Sequence, residues 1–215
     1  MDSSTPFYNT NVGGDAVFVV EDDRQTRDAL RELFSPVAAV HTFASAEEFL
    51  RVSPIAHGPA CLLLDERLPG MSGSELLQRL HAEQRSPSAV LVTAYADTPV
   101  TVAAMRHGAV TVLDKPCGDS ALREAVREAL AQDRRQIERD TQRSNAAQAL
   151  EKLNSNEREV LQMVLDGVPN KQIASRVGVC VRTIESRRSR IYAATGVRSV
   201  AELVRLCVTA NFVDA

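Results

Sequence analysis

Apolar residues in the first 130 positions follow two alternating patterns. Five short runs are apolar almost throughout: AVFVV (16–20), VAAVHTF (37–43), ACLLLD (60–65), AVLVT (89–93) and AVTVLD (109–114). Between them lie stretches with the period of an amphipathic helix, at 24–35, 45–52, 72–83, 98–107 and from 119 onward. A strand is apolar at every position when neither of its faces meets water, as in a parallel sheet covered on both sides. Strands of this kind alternating with helices predict a five-stranded, doubly wound α/β domain. Local signals agree: Ser45 followed by Glu48 fits a capping box, and Pro99 fits the first turn of a helix.

Beyond residue 119 the helical pattern persists but the apolar stripe thins. Leu122, Val126, Ala129 and Leu130 are placed to pack on the sheet, whereas between 131 and 145 only Ala131 and Ile137 are large or small apolar residues among charges. That predicts a solvated helix or helical linker over 131–150, with partial coiled-coil pairing in a dimer as the alternative, although no heptad is sustained. A second, all-helical unit follows over 151–215. Its helices are expected at about 155–166, 170–177, 181–194 and 199–209, separated by Gly167-Val168-Pro169, Gly178 and Gly196.

Length and composition fit this division. A chain of 215 residues exceeds the usual single domain, and its 44% apolar and 25% charged residues are those of a globular protein. Residues 1–14 lack both a basic start and an apolar stretch, so they are expected to be a disordered tail, not a secretion signal. No apolar run is long enough to span a membrane. Cys61, Cys117, Cys180 and Cys207 are scattered, which argues against a disulfide framework or a zinc site and for a reducing cytoplasm. The net charge of −3 conceals an asymmetry: residues 1–130 carry 11 basic against 18 acidic residues, and residues 151–215 carry 10 against 7. An acidic front and a basic back suggest two different partners.

The acids are placed where chemistry is expected. Ligands of an open parallel sheet bind beyond the carboxyl ends of its strands. Here the first strand runs into Glu21-Asp22-Asp23, the third into Asp65, the fourth into Thr93 and the fifth into Asp114-Lys115-Pro116. Glu21, Asp22 and Asp65 together need a cation, and hard carboxylate oxygens suit Mg²⁺. Thr93 and Lys115 offer a hydroxyl and an ammonium for an anionic oxygen. Such a set is equipped for nucleophilic attack on phosphorus by a carboxylate. A phosphatase or dehalogenase with an aspartate nucleophile is the enzymatic competitor; those sites favour an acid two residues after the first, and this chain has Arg67 there.

The segments VFVVEDD, LLLDERLPGMSG, VLVTAYAD and VLDKP, in this order and spacing, resemble the receiver domain of two-component response regulators over residues 15–130. The resemblance implies Asp65 as phospho-acceptor, with a histidine kinase or a small acyl phosphate as donor. It implies Mg²⁺ held by Asp22, Asp65 and the backbone carbonyl of Arg67 beside Glu21, phosphoryl oxygens held by Thr93 and Lys115, and a cis Lys115-Pro116 bond. Asp23 falls one place past the acidic pair. Two positions depart from the family pattern. Val112 stands where an aromatic usually relays the signal, with Tyr95 as a candidate substitute, and Cys117 stands where Phe is common, as a small packing residue or a redox group.

The basic unit reads as a helix-turn-helix, with a small bundle carrying a solvated basic face as the bland alternative. Ile173, Ala174, Val177, Val179 and Ile184 form its apolar joint, and the longer helix is expected to present Arg182, Glu185, Ser186, Arg188 and Ser189 outward, with Arg187 and Arg190 close by. The motifs EREVL, NKQIA, TIE, GVRS and AELV resemble the LuxR-type DNA-binding domain. That resemblance implies base contacts from Arg182, Thr183, Glu185, Ser186 and Ser189, and phosphate contacts from Lys171, Arg187, Arg188 and Arg190. Departures are Cys180 at the N-cap of the recognition helix, Arg187 for the usual His, and Asn154 and Asn156 near the start of the domain. The expectation is a cytoplasmic transcription factor of the FixJ/NarL type and not a turnover enzyme. Its partners would be a sensor kinase, double-stranded DNA, a second copy on activation through a face around the fourth helix and fifth strand, and RNA polymerase as a candidate. The alternative is a DNA-binding regulator whose receiver works unphosphorylated, as a dimerisation or ligand-sensing module.

Overall fold

The structure is a computed structural model of the 215-residue chain, and it describes residues 14–52, 58–83, 87–94 and 98–212. It divides into two compact units, residues 1–137 and 138–215. Residues 1–13 of the tail expected over 1–14, and the loop position Tyr95, lie outside the described residues.

In the first unit, strands β1 (Ala16–Val20), β2 (Ala39–Phe43), β3 (Ala60–Asp65), β4 (Ser88–Thr93) and β5 (Ala109–Asp114) alternate with helices α1 (Arg24–Phe34), α2 (Ala46–Val52), α3 (Gly73–Ala82), α4 (Thr98–Arg106) and α5 (Asp119–Glu151). The strands are all parallel in the order β2-β1-β3-β4-β5. This is the doubly wound order of flavodoxin-like folds, which puts the switch point and its crevice between β1 and β3.

Alternation within each strand explains how one sheet serves two cores. Phe18, Val20, Leu62, Leu64 and Leu91 point to the side covered by α2, α3 and α4. Val17, Val19, Cys61, Leu63, Val90 and Val92 point to the other side, against Phe34 of α1 and Leu122, Val126, Ala129 and Leu130 of α5. On the first side Phe18, Phe43 and Phe49 form an aromatic nest, the Phe43 and Phe49 rings meeting edge-on at 5.2 Å. Offset or edge-on ring pairs of this kind contribute about 0.5–1.5 kcal/mol beyond the area they bury.

The stretch after residue 130, expected to be solvated, holds the sheet before it becomes so. Asp133 accepts the amide of Ala60 at 2.8 Å with one carboxylate oxygen and that of Ser88 at 3.1 Å with the other. Arg134 pairs with Asp15 at 2.7 Å. Alternating charges conceal these anchors in the sequence, because one carboxylate among arginines looks like any solvated helix face. From 135 to 145 every residue is exposed.

The second unit takes the last turns of α5 together with α6 (Ser155–Leu165), α7 (Asn170–Val177), α8 (Val181–Thr195) and α9 (Val200–Thr209). Its own core joins Leu150, Leu153, Val160, Leu161, Val164, Ile173, Ile184, Ile191, Leu203 and Cys207. Among the described residues, no helix is long and apolar enough to cross a membrane.

Burial pushes the carboxyl of Asp133 above its ordinary pKa, and the two amide hydrogen bonds only partly offset this. Asp133→Ala leaves two strand amides unpaired and is expected to lower the stability of the first unit by about 2 kcal/mol in urea unfolding at neutral pH. Because the folded-state pKa of Asp133 is raised, its own contribution is fullest at acid pH. The gap between wild type and variant should therefore shrink as pH rises through that value.

Candidate functional site

Hydrogen bonds carry the ladder one residue past the strands at the carboxyl edge of the sheet. Glu21 donates its amide to Phe43 at 3.1 Å, Glu66 to Val92 at 2.9 Å and Lys115 to Thr93 at 2.7 Å. The polar residues at this edge therefore stand on sheet-like backbone. Register aligns Asp65 with Val92 and Thr93 with Asp114. The Lys115-Pro116 bond is cis.

Glu21, Asp65 and Thr93 are all buried, Asp65 at 7% exposure and Thr93 at 2%, while Asp22 is exposed. The Lys115 ammonium bridges two carboxylates, 3.0 Å from Glu21 Oε2 and 2.9 Å from Asp65 Oδ2. Carboxylate oxygens of Glu21, Asp22 and Asp65 all lie within 4.8 Å of one another. Three acids against one ammonium leave an excess of negative charge where burial makes it costly. The titration shifts show the strain: burial, with the nearby Asp65 charge, raises the Glu21 pKa although Lys115 pulls it down. Burial works against the Lys115 ammonium, but the two carboxylates outweigh it and its pKa is raised. The donor set of close, hard oxygens at an exposed mouth fits an ion such as Mg²⁺, which binds through one or two carboxylates and keeps several waters. A cavity of about 470 Å³ opens beside Asp65 and Lys115, with Leu30, Val92, Cys117 and Leu122 on its apolar side.

Several residues that hold this edge are not evident from the sequence. Arg27, on the first turn of α1, donates to the carbonyl oxygens of Glu21 at 2.6 Å and Asp22 at 2.7 Å, fixing the loop that carries both acids. Asp23 caps α1, accepting the Thr26 amide at 2.8 Å. Glu66 accepts the amide and hydroxyl of Ser74 at 3.0 and 2.7 Å, and Glu47 accepts the amide of Met71 at 2.9 Å. Arg67 reaches the pocket through its amide, 3.3 Å from Asp65 Oδ1. Gly73 begins α3 directly against the strand: a Cβ there would lie 2.5 Å from the Asp65 carbonyl oxygen. Of the two departures from the family pattern, Val112 is half-buried against the α2–α4 side and Cys117 packs with the α1–α5 side. Burial raises the Cys117 thiol pKa.

In the second unit, Gly178 adopts a left-handed conformation (φ 72°) that ends α7 and turns the chain into α8. Ile184 and Ile191 bury one face of α8. Arg182, Glu185, Ser186, Ser189 and Arg190 lie exposed, Lys171 is exposed at the start of α7, and Thr183 is half-buried. The structure treats the three arginines expected at phosphates differently. Arg190 is exposed, but Arg188 is turned inward, donating to Asn170 Oδ1 at 2.6 Å and the Tyr192 hydroxyl at 3.2 Å, so it clamps α7 to α8. Arg187 lines a polar recess with Asn154, Asn156, Thr183 and Arg190, and its Nη1 is buried with no hydrogen-bond partner among the described residues. Asn154 proves an effective cap, closing a capping box with Glu157 at 3.0 Å in each direction. Cys180 makes no such bond; its sulfur lies 3.2 Å from the Thr183 hydroxyl, which lowers the thiol pKa.

A CheY-like receiver fold with an acid-lined carboxyl edge, followed by a helix-turn-helix unit, defines a regulator with an input and an output domain. Comparison with known proteins agrees. Residues 17–127 match the response regulator receiver domain, and residues 151–207 match the bacterial regulatory proteins of the luxR family. The chain is 35% identical to the C4-dicarboxylate transport transcriptional regulatory protein DctR of Rhodobacter capsulatus, over 88% of this chain and 98% of that one. It is also 35% identical to the transcriptional regulatory protein FixJ of Azorhizobium caulinodans, over 93% and 94%. Among solved structures, the response regulator StyR superposes with a TM-score of 0.81 at 36% identity, covering 91% of this chain and 98% of that one. The chain belongs to the two-component response regulators that join a receiver to a LuxR-type DNA-binding domain, a family of transcription regulators.

The close approach at Gly73 gives a direct test of how the site is held. Gly73→Ala is expected to cost about 1–3 kcal/mol in urea unfolding, the range for overpacking a tight contact. Gly118→Ala, where an added Cβ meets nothing within 4 Å, serves as the silent control.

Proposed function

We propose that Asp65 accepts a phosphoryl group from the phosphohistidine of a sensor kinase, or from a small acyl phosphate, and that this controls DNA binding by the second unit. The observation that carries the reading is the Lys115 ammonium shared between Asp65 and Glu21 at the mouth of a cavity. A carboxylate oxygen of Asp65 attacks phosphorus in line, the P–N or P–O bond to the donor breaks, and the leaving imidazole or acid takes its electron pair. An aspartyl phosphate remains. Mg²⁺ bound at Asp22, Asp65 and the Arg67 carbonyl, with Glu21 behind, would supply charge neutralisation at the equatorial oxygens. Lys115 then exchanges its contact with the Asp65 carboxylate for a phosphoryl oxygen, and the Thr93 hydroxyl takes another. The protein works in the cytoplasm on this reading, and it resembles proteins named as transcriptional regulators in both halves.

Phosphorylation then favours pairing of two receivers around α4 and β5, which places two DNA-binding units on adjacent half-sites. In each, α8 enters the major groove with Arg182, Thr183, Glu185, Ser186 and Ser189 toward the bases. Lys171, Arg187 and Arg190 hold phosphates. Arg188 serves by fixing α8 on α7, as its bonds to Asn170 and Tyr192 support. RNA polymerase is the partner such a complex would recruit or exclude.

Val112 favours a second reading, in which the receiver pairs or senses a ligand without phosphorylation, because a valine packed on the core lacks the swinging ring of the family switch. Asp65→Asn separates the two. With acetyl phosphate and Mg²⁺, the wild type should gain one phosphoryl group by intact mass together with tighter DNA binding, and Asp65→Asn should gain neither. Unchanged DNA binding in wild type and variant alike would support the second reading instead.

On the DNA side, Lys171→Ala is expected to weaken binding to all sequences alike and to reduce the slope of log K against log salt by about 1. Arg182→Ala should instead relax preference at one base pair, by about 1–3 kcal/mol, when binding is measured across a set of single-base variants of a selected site.

A further inference from the structure

Four histidines are spread along the chain, and the fold brings two of them together where no sequence spacing marks a pair. His81 lies in the last turn of α3, and His107 follows the final residue of α4, donating its amide to the carbonyls of Ala103 and Ala104. Their rings meet across the two helix ends, 5.8 Å between centres and tilted by 52°. Shared packing sets this approach: Leu77 and Leu80 of α3 and Ala104 of α4 are buried in one core. Because β5 begins at Ala109, the pair lies at the edge where the strands start, opposite the acid cluster. His81 is exposed and His107 half-buried. Among the described residues, neither imidazole has a hydrogen-bond partner.

We propose that His81 and His107 form a two-imidazole site for a borderline transition-metal ion of the Zn²⁺ or Ni²⁺ class, with water completing its shell. An imidazole nitrogen binds Zn²⁺ at about 2.0–2.1 Å, which sets each ring centre about 3 Å from the ion and two rings on one ion about 5–6 Å apart. The observed 5.8 Å falls in that range, so the two helix ends already hold the rings at a chelating distance. Imidazole suits these ions and not Mg²⁺, whose preference is for hard oxygens such as those of the acid cluster. The carbonyl ends of two helices meet here, and their partial negative charge favours a cation. Of the basic neighbours in sequence, Arg79 is paired with Glu83 at 3.2 Å and Arg106 is exposed to water, which screens its charge. The ion ties the end of α4 to α3, and so restrains the helix that carries the exposed Val102 and Met105. This site does not depend on phosphorylation of Asp65.

The test titrates ZnCl₂ into the full chain, free of any affinity tag, in a calorimeter with excess Mg²⁺ present to occupy hard-oxygen sites. The expected result is a Zn²⁺ site that His81→Gln and His107→Gln each weaken by about tenfold or more, at least what loss of an outer-shell partner costs a metal site. Cys180→Ser, which removes the exposed thiol, should leave it unchanged. Urea unfolding without metal checks that the variants keep the fold. In wild type alone, Zn²⁺ should also slow amide exchange several-fold in peptides covering 76–82 and 100–107. Binding that survives both histidine variants, or that is lost with Cys180→Ser, would assign the ion elsewhere and overturn the proposal. A wild type that takes up no Zn²⁺, or one whose exchange in those peptides is unmoved by it, would overturn it too.

Discussion

Two buried carboxylates share a single ammonium at the carboxyl edge of the sheet, and a third acid waits at the mouth. Left alone, Glu21, Asp22 and Asp65 would repel one another at this edge. Lys115 offsets part of this, at 2.9–3.0 Å from two of them. The remaining imbalance of close, hard oxygens is of the kind that fits a divalent cation. Much of the surrounding architecture keeps these charges from escaping one another. The ladder extends past its strands under Glu21, Glu66 and Lys115, and Arg27 ties down the acidic loop. Gly73 lets α3 start against the Asp65 backbone, a contact no larger residue permits without a shift. An acid pair held by rigid backbone cannot relax by moving apart, so its charge remains available for chemistry.

The same sheet must be indifferent to what happens at its edge, and its two cores supply that. Each strand sends alternate residues to opposite layers, so the loops at the carboxyl ends can carry charge without disturbing either layer. At the opposite end Asp133 pins α5 to β3 and β4, and Arg134 pins it to the start of β1. A buried carboxylate that accepts two strand amides is a stronger anchor than a surface ion pair. Helix α5 is thus fixed to the sheet well beyond its apolar stripe before its exposed middle section begins.

In the helical unit, the division of labour among arginines matters more than their number. Arg188 is spent on Asn170 and Tyr192, and its bond to Asn170 ties α8 to α7. Arg190 remains outward, and Arg187 points a buried nitrogen into a polar recess. A guanidinium with its fork already filled is poorly placed for a phosphate, whereas a free one is well suited to it. The departures at Asn154 and Cys180 also differ in consequence. Asn154 closes a full capping box, while Cys180 leaves the start of α8 without a side-chain cap.

What was legible in the sequence was whatever depends on local period and on chain order. Five uniformly apolar runs required a sheet buried on both faces, and the observed strands fall within two residues of those runs. The polar residues that follow them, Glu21, Asp22, Asp65, Thr93 and Lys115, had to share one edge, because parallel strands bring their carboxyl ends to the same side. Gly178 between two amphipathic stretches likewise marked the turn of the helix-turn-helix. Tertiary structure alone decided the pairings between distant charges. Nothing in the spacing from Asp133 to Ala60, from Arg27 to the Glu21 carbonyl, or from Arg188 to Asn170 distinguishes these groups from solvated ones. A charged side chain has no period that reveals its partner. Its role is fixed only when the fold removes water from one side of it and sets a backbone amide, a carbonyl or an amide side chain on the other.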